Sequence, residues 1–285
     1  MKILKEMLDM YFYKNDFVNK KDVILSPDDR GYYFGDGIYE VFRVYNGKIY
    51  EQEAHMQRLQ RTASEVRIEL PFTIDKMGHI LTQLIEKNGL NEGTVYMQIT
   101  RGEAPRAHPF PAQAESILLA YCTEVRRPIA TIHNGINAIT LDDIRWLRCD
   151  LKTLNLLPNV MAKQAALDHG VQEVVLHRSG TVTECSASNL MMIKDGVLYT
   201  HPANHLILHG ITRAVVLRLA HSQNITVKEE PFTTEQLLQA DEAFITGTTV
   251  EITPILQIDG KAIGTGAPGP ITLTLQNEFE RTFAK

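Results

Sequence analysis

An α+β fold in two domains is what these 285 residues predict, on three observations. An Asn-Gly pair sits inside a strand-rich aromatic run. Two helical periods and then two alternating runs follow it. The second half carries short strand-like pieces at close spacing, with fewer helices between them. A polar, proline-containing stretch separates the halves, which places a first domain at 1–124, a linker at 125–135 and a larger domain at 136–285.

In chain order, YYFGDGIYEVFRVYNGKIYEQ reads as an antiparallel hairpin turning at Asn46-Gly47. EAHMQRLQRTASEVRI sets Met56, Leu59, Ala63 and Val66 at helical spacing, and DKMGHILTQLIEKNG repeats the pattern before Gly89. TVYMQITRG alternates Val95, Met97 and Ile99, and SILLAYCTE is a further strand. Beyond the linker, GINAITLDDIRW leads to the helix PNVMAKQAALDHG, with Pro158 in its first turn and Gly170 at its stop. EVVLHR, TVTEC, NLMMIKDGVLYTHP, EAFITG and EITPILQIDGKAI read as strands. TRAVVLRLAHSQN and TTEQLLQA read as helices, and LTLQNEFERTFAK as a C-terminal one.

Composition narrows the function. Hydrophobic residues make up 44% and charged residues 22%, as in ordinary globular proteins. A net charge of -5 without a Lys/Arg block gives no basic field for nucleic acid. No apolar run is long enough to span a membrane, and MKILKEMLDMYFYKNDF lacks the layout of a signal peptide. Cys122, Cys149 and Cys185 are odd in number and widely spaced, which suggests neither disulfides nor zinc and fits a reducing cytoplasm.

Lys152 lies between a strand-like and a helix-like run, with mostly apolar residues after it. A protonated lysine is a poor nucleophile. Desolvated or flanked by cations, it loses its proton and condenses with a carbonyl as a Schiff base. A surface lysine among chance apolar neighbours is the plainer alternative. If the carbonyl belongs to pyridoxal phosphate, three accessories are expected: a phosphate cradle, an acid beside the pyridine nitrogen and a group that fixes the substrate. Gly210-Ile211-Thr212 runs straight into a helix whose exposed N–H groups suit a phosphate. Thr248 and Thr249 after Gly247 make a hydroxyl-rich turn, and Arg58 offers a cation on the helix near Glu53, as His55 and Arg61 also could. Glu184 follows a strand and precedes small residues, a place where a carboxylate can enter a site. Arg106 and His108, two apart, point the same way if extended, and together suit a carboxylate. Helix caps, solvated faces and a proline-bracketed loop are the structural alternatives. His201, His205 and His209 are spaced as metal ligands on one helix face would be, but Pro202 and Gly210 interrupt such a helix and no HExxH glutamate accompanies them. FGDGIYE lacks the third glycine of a dinucleotide fingerprint.

In order, RGYYFGDGIYEV, HMQRL, TRGEAPRAH, DIRWLRCDLKTLNLL, TVTECSASN, LYTHPANHLILHGITR and TGTTVEITP cover nearly the whole chain. This series resembles the fold-type IV pyridoxal-phosphate enzymes, and within them the bacterial D-amino-acid aminotransferases. The resemblance implies a small α+β N-terminal domain, a strand-rich barrel-like C-terminal domain carrying the lysine, and a homodimer with the cofactor between the domains. It implies Lys152 as Schiff-base lysine and proton shuttle, and Glu184 as partner of the pyridine nitrogen. Arg58, Ile211, Thr212 and Thr248 would hold the phosphate, with Ser188 near the cofactor. Tyr39, Arg106 and His108 would trap the substrate carboxylate, the feature that separates this subgroup from branched-chain L-aminotransferases and aminodeoxychorismate lyase. The implied reaction is ping-pong transamination between D-alanine, D-glutamate or D-aspartate and 2-oxoglutarate or pyruvate. Cys185, Ala187, Gly247 and Val250 depart from the subgroup's small and serine-rich pattern, which puts cofactor affinity and substrate range in question. The alternatives are a branched-chain L-amino-acid or (R)-amine transaminase, a lyase of the same fold, or a metal- or ligand-binding protein using the three histidines.

Overall fold

The computed structural model describes residues 5–284; the first four residues of the N-terminal segment and Lys285 of the C-terminal one lie outside the described residues. The chain divides into two compact units, Met1–Arg127 with Leu151–Asn155, and Pro128–Asp150 with Leu156–Lys285.

The first unit contains β1 (Lys5–Tyr13), β2 (Asp16–Asn19), α1 (Arg30–Phe34), β3 (Gly37–Tyr45), β4 (Lys48–Ile49), α2 (Gln52–Val66), α3 (Ile74–Asn88), β5 (Gly93–Thr100) and β6 (Ile117–Val125). Among the described residues its sheet is antiparallel throughout, in the order β2-β1-β6-β5-β3-β4. The β3–β4 turn falls on Asn46 and Gly47, both at positive φ, the two-residue hairpin that the sequence predicts. Val95, Met97 and Ile99 alternate toward α2 and α3, where they share a core with Phe42, Leu59 and Leu81. The intervening positions place tyrosines on the opposite face. Tyr11, Tyr121, Tyr96 and Tyr39 form successive stacked pairs with centroids 5.1, 5.2 and 5.8 Å apart. The expected strand at Tyr32–Phe34 is instead the short helix α1, capped by the Asp29 carboxylate and ended by left-handed Gly35.

The second unit contains α4 (Ile129–Asn134), β7 (Ile136–Asp142), α5 (Leu157–Asp168), β8 (Glu173–Arg178), β9 (Thr181–Cys185), β10 (Asn189–Lys194), β11 (Val197–Thr200), α6 (Ile211–Ser222), β12 (Val227–Glu229), α7 (Thr234–Leu238), β13 (Glu242–Gly247), β14 (Glu251–Ile258), β15 (Lys261–Ala262) and α8 (Pro270–Arg281). Its sheet runs β12-β11-β10-β13-β14-β7-β8-β9, with β15 on β14. In that order β9 and β10 are five places apart, about 24 Å across a flat sheet at ~4.8 Å per strand. The chain from Cys185 to Asn189 spans at most about 14 Å. The sheet therefore curls, which makes this half barrel-like. Leu190, Met192, Ile245 and Ile255 fill its interior with Phe232 and Leu237, while Ala162 and Ala166 of α5 pack on Val174 and Leu176 of β8.

The units differ from the expected division in two respects. A helix, α4, forms within the expected 125–135 linker, and Lys152 falls in the first unit instead of with 136–285. The second difference has its cause in the backbone hydrogen bonds that tie Lys152 and Leu154 to β3. The three cysteines are free and buried, and burial pushes Cys149 up to about 11 and Cys122 up to about 12, so neither is a thiolate near neutral pH.

Candidate active site

Lys152 is half-buried on a segment that docks along β3. The Tyr39 N–H donates to Lys152 O at 3.0 Å, the Leu154 N–H donates to Gly37 O at 3.0 Å, and Thr153 bridges to Ile38. The backbone on both sides of the lysine is thereby fixed. Its Nζ lies 4.1 Å from the centroid of the Tyr39 ring, whose electron-rich face attracts a cation.

One residue after Tyr39, the pleat turns Glu40 to the other side, where it is fully buried. Arg58 donates Nε–H to Glu40 Oε1 at 2.8 Å and Nη2–H to Oε2 at 2.7 Å, a two-point pair. His55, one helical turn before Arg58, meets the same Oε2 through Nδ1 at 2.8 Å. Burial alone would raise Glu40, but Arg58 and His55 hold its carboxyl down at about 2. Burial also lowers His55, so it is the neutral member that donates Nδ1–H to the carboxylate. Arg58 and His55 stand out in the sequence and Glu40 does not, because a single acidic residue in a strand carries no signal of its buried partner.

Arg106 and His108 are exposed on the loop between β5 and β6. The structure brings them together around Phe34, with the guanidinium 5.2 Å and the imidazole 5.7 Å from its ring centre. Among the described residues no hydrogen bond or ring contact joins either of them to Tyr39.

In the second unit Glu184 is buried at the end of β9. Arg145 donates Nη1–H to Oε1, Asn189 donates Nδ2–H to Oε2 at 2.8 Å, and the Leu208 N–H reaches Oε1 at 3.2 Å and Oε2 at 3.1 Å. Burial pushes Glu184 up to about 7, against the pull of Arg145 and the Leu208 N–H. Arg145 is itself fixed by Asp143, which accepts its Nε–H and Nη2–H at 2.9 Å each. Arg145, Asp143 and Asn189 were not among the candidates; the apolar exposed residues around Arg145 in IRWL concealed a buried arginine.

Ile211 and Thr212 begin α6, whose cap position Gly210 supplies no side-chain acceptor or donor. The helix start is adjacent to Asn189, since a Cβ on Gly210 would lie 2.0 Å from Asn189 Oδ1. Asn189 pairs across the sheet with Thr246, and Gly247 sits 3.6 Å from Ser188 Cβ by the same measure. Thr248 follows, half-buried, in the turn to β14. Among the described residues the hydroxyls of Ser188 and Thr246 are buried and find no hydrogen-bond partner beyond the Cys185 thiol beside Ser188. Such hydroxyls beside an uncapped helix start form a donor set for an oxyanion such as a phosphate. This fit rests on the chain's own groups, and Thr246 is an addition to the residues singled out from sequence.

His201, His205 and His209 lie on the loop between β11 and α6, not on a helix. His201 Nδ1 contacts Pro202 O and His209 Nε2 contacts Asn204 O. Among the described residues, no three His, Cys, Asp or Glu side chains gather as metal ligands would.

Known proteins resemble this chain in sequence and in fold. Residues 37–258 match the family described as amino-transferase class IV. A D-alanine aminotransferase of Staphylococcus haemolyticus is 44% identical over 271 residues, 95% of this chain and 96% of that protein. One from Listeria monocytogenes is 46% identical over 268 residues, 93% of each chain. A branched-chain amino acid aminotransferase of Escherichia coli superposes with a TM-score of 0.92 at 27% identity, over 97% of this chain and 95% of that one. A branched-chain aminotransferase of the archaeon Thermoproteus uzoniensis, solved with norvaline, gives 0.86 at 25% over 97% and 94%. With a family match across most of its length and relatives near half identity over nearly all of it, the chain belongs to the class IV aminotransferases.

Proposed function

We propose that the protein is a pyridoxal-phosphate-dependent D-amino-acid aminotransferase, acting on D-alanine, D-glutamate or D-aspartate with 2-oxoglutarate or pyruvate. The observation that carries this reading is the identity of 44–46% to D-alanine aminotransferases over nearly the full chain. The likeness to branched-chain enzymes is in fold, at 25–27% identity, and supports the L-specific alternative less well.

Bound pyridoxal phosphate supplies an electron sink that lets a substrate amino acid release its Cα proton. Lys152 Nζ is the amine that would hold the cofactor at rest and carry that proton. The α6 start at Ile211 and Thr212, with Thr248 and Ser188, would hold phosphate oxygens, and Arg58 would add a cation. Glu184 would keep the pyridine nitrogen protonated, and Arg145 would keep its carboxylate aimed. Tyr39, Arg106 and His108 receive the substrate carboxylate and orient the Cα–H bond.

The protein works as a homodimer in the cytoplasm. Ile144, Trp146, Leu147, Leu157 and Val160 are exposed large apolar residues of the second unit on either side of Leu151–Asn155, which supports an association surface. Free buried cysteines support a reducing compartment. No helix among the described residues is long and apolar enough to cross a membrane.

The test is the visible absorption of protein reconstituted with pyridoxal phosphate, read after D-alanine and separately after L-leucine. Bleaching by D-alanine alone, absent in Lys152→Ala, is the expected result. Bleaching by L-leucine alone would overturn the D-specific reading, and an unchanged response in Lys152→Ala would remove the lysine from its role.

A further inference from the structure

Residues 101–116, between β5 and β6, form a long loop without helix or strand. A segment of this kind is ordinarily loosely held. This one is tied down at its middle by a buried cation. Arg30, only 3% exposed, donates Nη1–H to the carbonyl of Ala107 at 2.6 Å and Nη2–H to that of His108 at 3.4 Å. Ala107 stands between Arg106 and His108, so fixing these two carbonyls fixes the directions in which both side chains leave the backbone.

Arg30 is fixed in turn. Its Nε–H donates to Asp36 Oδ2 at 2.8 Å, and Arg101 binds the same carboxylate at two points, Nε to Oδ2 at 2.8 Å and Nη2 to Oδ1 at 2.9 Å. Arg101 also holds the carbonyls of Val66 and Arg67 at the end of α2, and its guanidinium lies 3.6 Å from the Phe110 ring farther along the loop. Burial opposes ionisation of Asp36, yet the two guanidiniums hold its carboxyl below its ordinary value. The Phe34 ring completes the platform, with Arg30 at 4.8 Å and Arg106 and His108 packed around it. Two desolvated arginines on one carboxylate are far more than a loop needs to turn.

We propose that Arg30, anchored by Asp36, is a positioning residue for recognition of the substrate carboxylate: it sets the geometry of Arg106 and His108 without touching substrate. This rests on the reading of Arg106 and His108 as carboxylate ligands. Arg30→Lys keeps the charge opposite Asp36 but cannot fork to two carbonyls, and Asp36 retains its pair with Arg101.

The test has two arms on the full-length protein. In the first, KM and kcat are measured for D-alanine and, as a substrate without a carboxylate, for (R)-1-phenylethylamine. Arg30→Lys is expected to raise KM for D-alanine by about tenfold or more and to change the amine reaction by less than about twofold. In the second, trypsin cleavage after Arg106 is followed in cofactor-free protein and is expected to quicken several-fold. Equal losses on both substrates, or no change in the D-alanine KM, would overturn the proposal. Arg106→Ala separates it from the underlying reading: an unchanged preference for D-alanine over the amine sinks both, while quickened cleavage in Arg30→Lys still shows the clamp. Should Arg30→Lys fail to fold, Phe34→Leu removes the platform and must show the same substrate split.

Discussion

At the scale of single residues, the decisive feature is a charge buried with its partners. Glu40 has a folded value of about 2 against an ordinary 4.5, so the folded state releases this proton more readily than the unfolded chain. The stability it contributes is complete above pH 4.5 and lost as pH falls through about 2, a difference of about 3 kcal/mol. His55 works in the same direction over a higher range. Burial lowers it, so below 6.5 the unfolded chain takes up a proton that the folded imidazole resists, and stability falls as the pH drops. Glu40→Gln leaves Arg58 buried without its carboxylate and is expected to cost about 3 kcal/mol at pH 7. The deficit should shrink toward pH 2, as urea titrations of the cofactor-free protein at several pH values would read. An equal deficit at all pH values would mean that Glu40 is not the group being titrated. The contrast with Glu184 is instructive: burial acts upward on both carboxyls, but Arg58 overcomes it at Glu40, while at Glu184 Arg145 does not.

At the scale of elements, the start of α6 shows what a missing side chain can do. Gly210 has φ -67, so an alanine there is not strained by backbone conformation. Its Cβ would instead meet Asn189 Oδ1, and Asn189 cannot swing away without leaving Glu184 and Leu208 O. Gly210→Ala is expected to lower stability by about 1–3 kcal/mol and to weaken cofactor binding. Thermal melts with and without pyridoxal phosphate check both, and a variant melting like wild type in each would show that Asn189 yields freely. Helix and strand periods made α2, α3 and most strands legible in the sequence, since each buries one regular face, while α5 was legible from Pro158 and Gly170 at its ends. The short helix α1 was not: its tyrosines and phenylalanine look like a strand, and only the Asp29 cap and the left-handed Gly35 make five residues helical. The same limit hid Asp36 and Arg101, whose meaning lies in pairings across 65 residues of chain.

At the scale of the whole molecule, family membership was readable because short motifs recur in a fixed order over the chain. The lysine's structural allegiance was not readable, because chain order places Lys152 beyond the apparent linker while its hydrogen bonds belong to β3. The proposed association into dimers has a built-in reporter. Trp146 is the sole tryptophan, and it is 46% exposed amid other exposed apolar residues. Dilution through the dissociation range is expected to shift its emission to longer wavelength, in step with a fall in sedimentation coefficient. A mass of one chain at all concentrations would overturn the homodimer.

The return of Leu151–Asn155 to the first unit also bears on how the gene could be divided. A break anywhere in 128–150 would leave an N-terminal fragment with all the strands of its sheet but without the piece that docks on β3, and therefore without Lys152. The complementary fragment would carry that piece and could dock it by restoring the Tyr39–Lys152 and Leu154–Gly37 hydrogen bonds. Split at this place, the protein becomes a complementation pair in which neither half alone carries both the lysine and its aromatic floor.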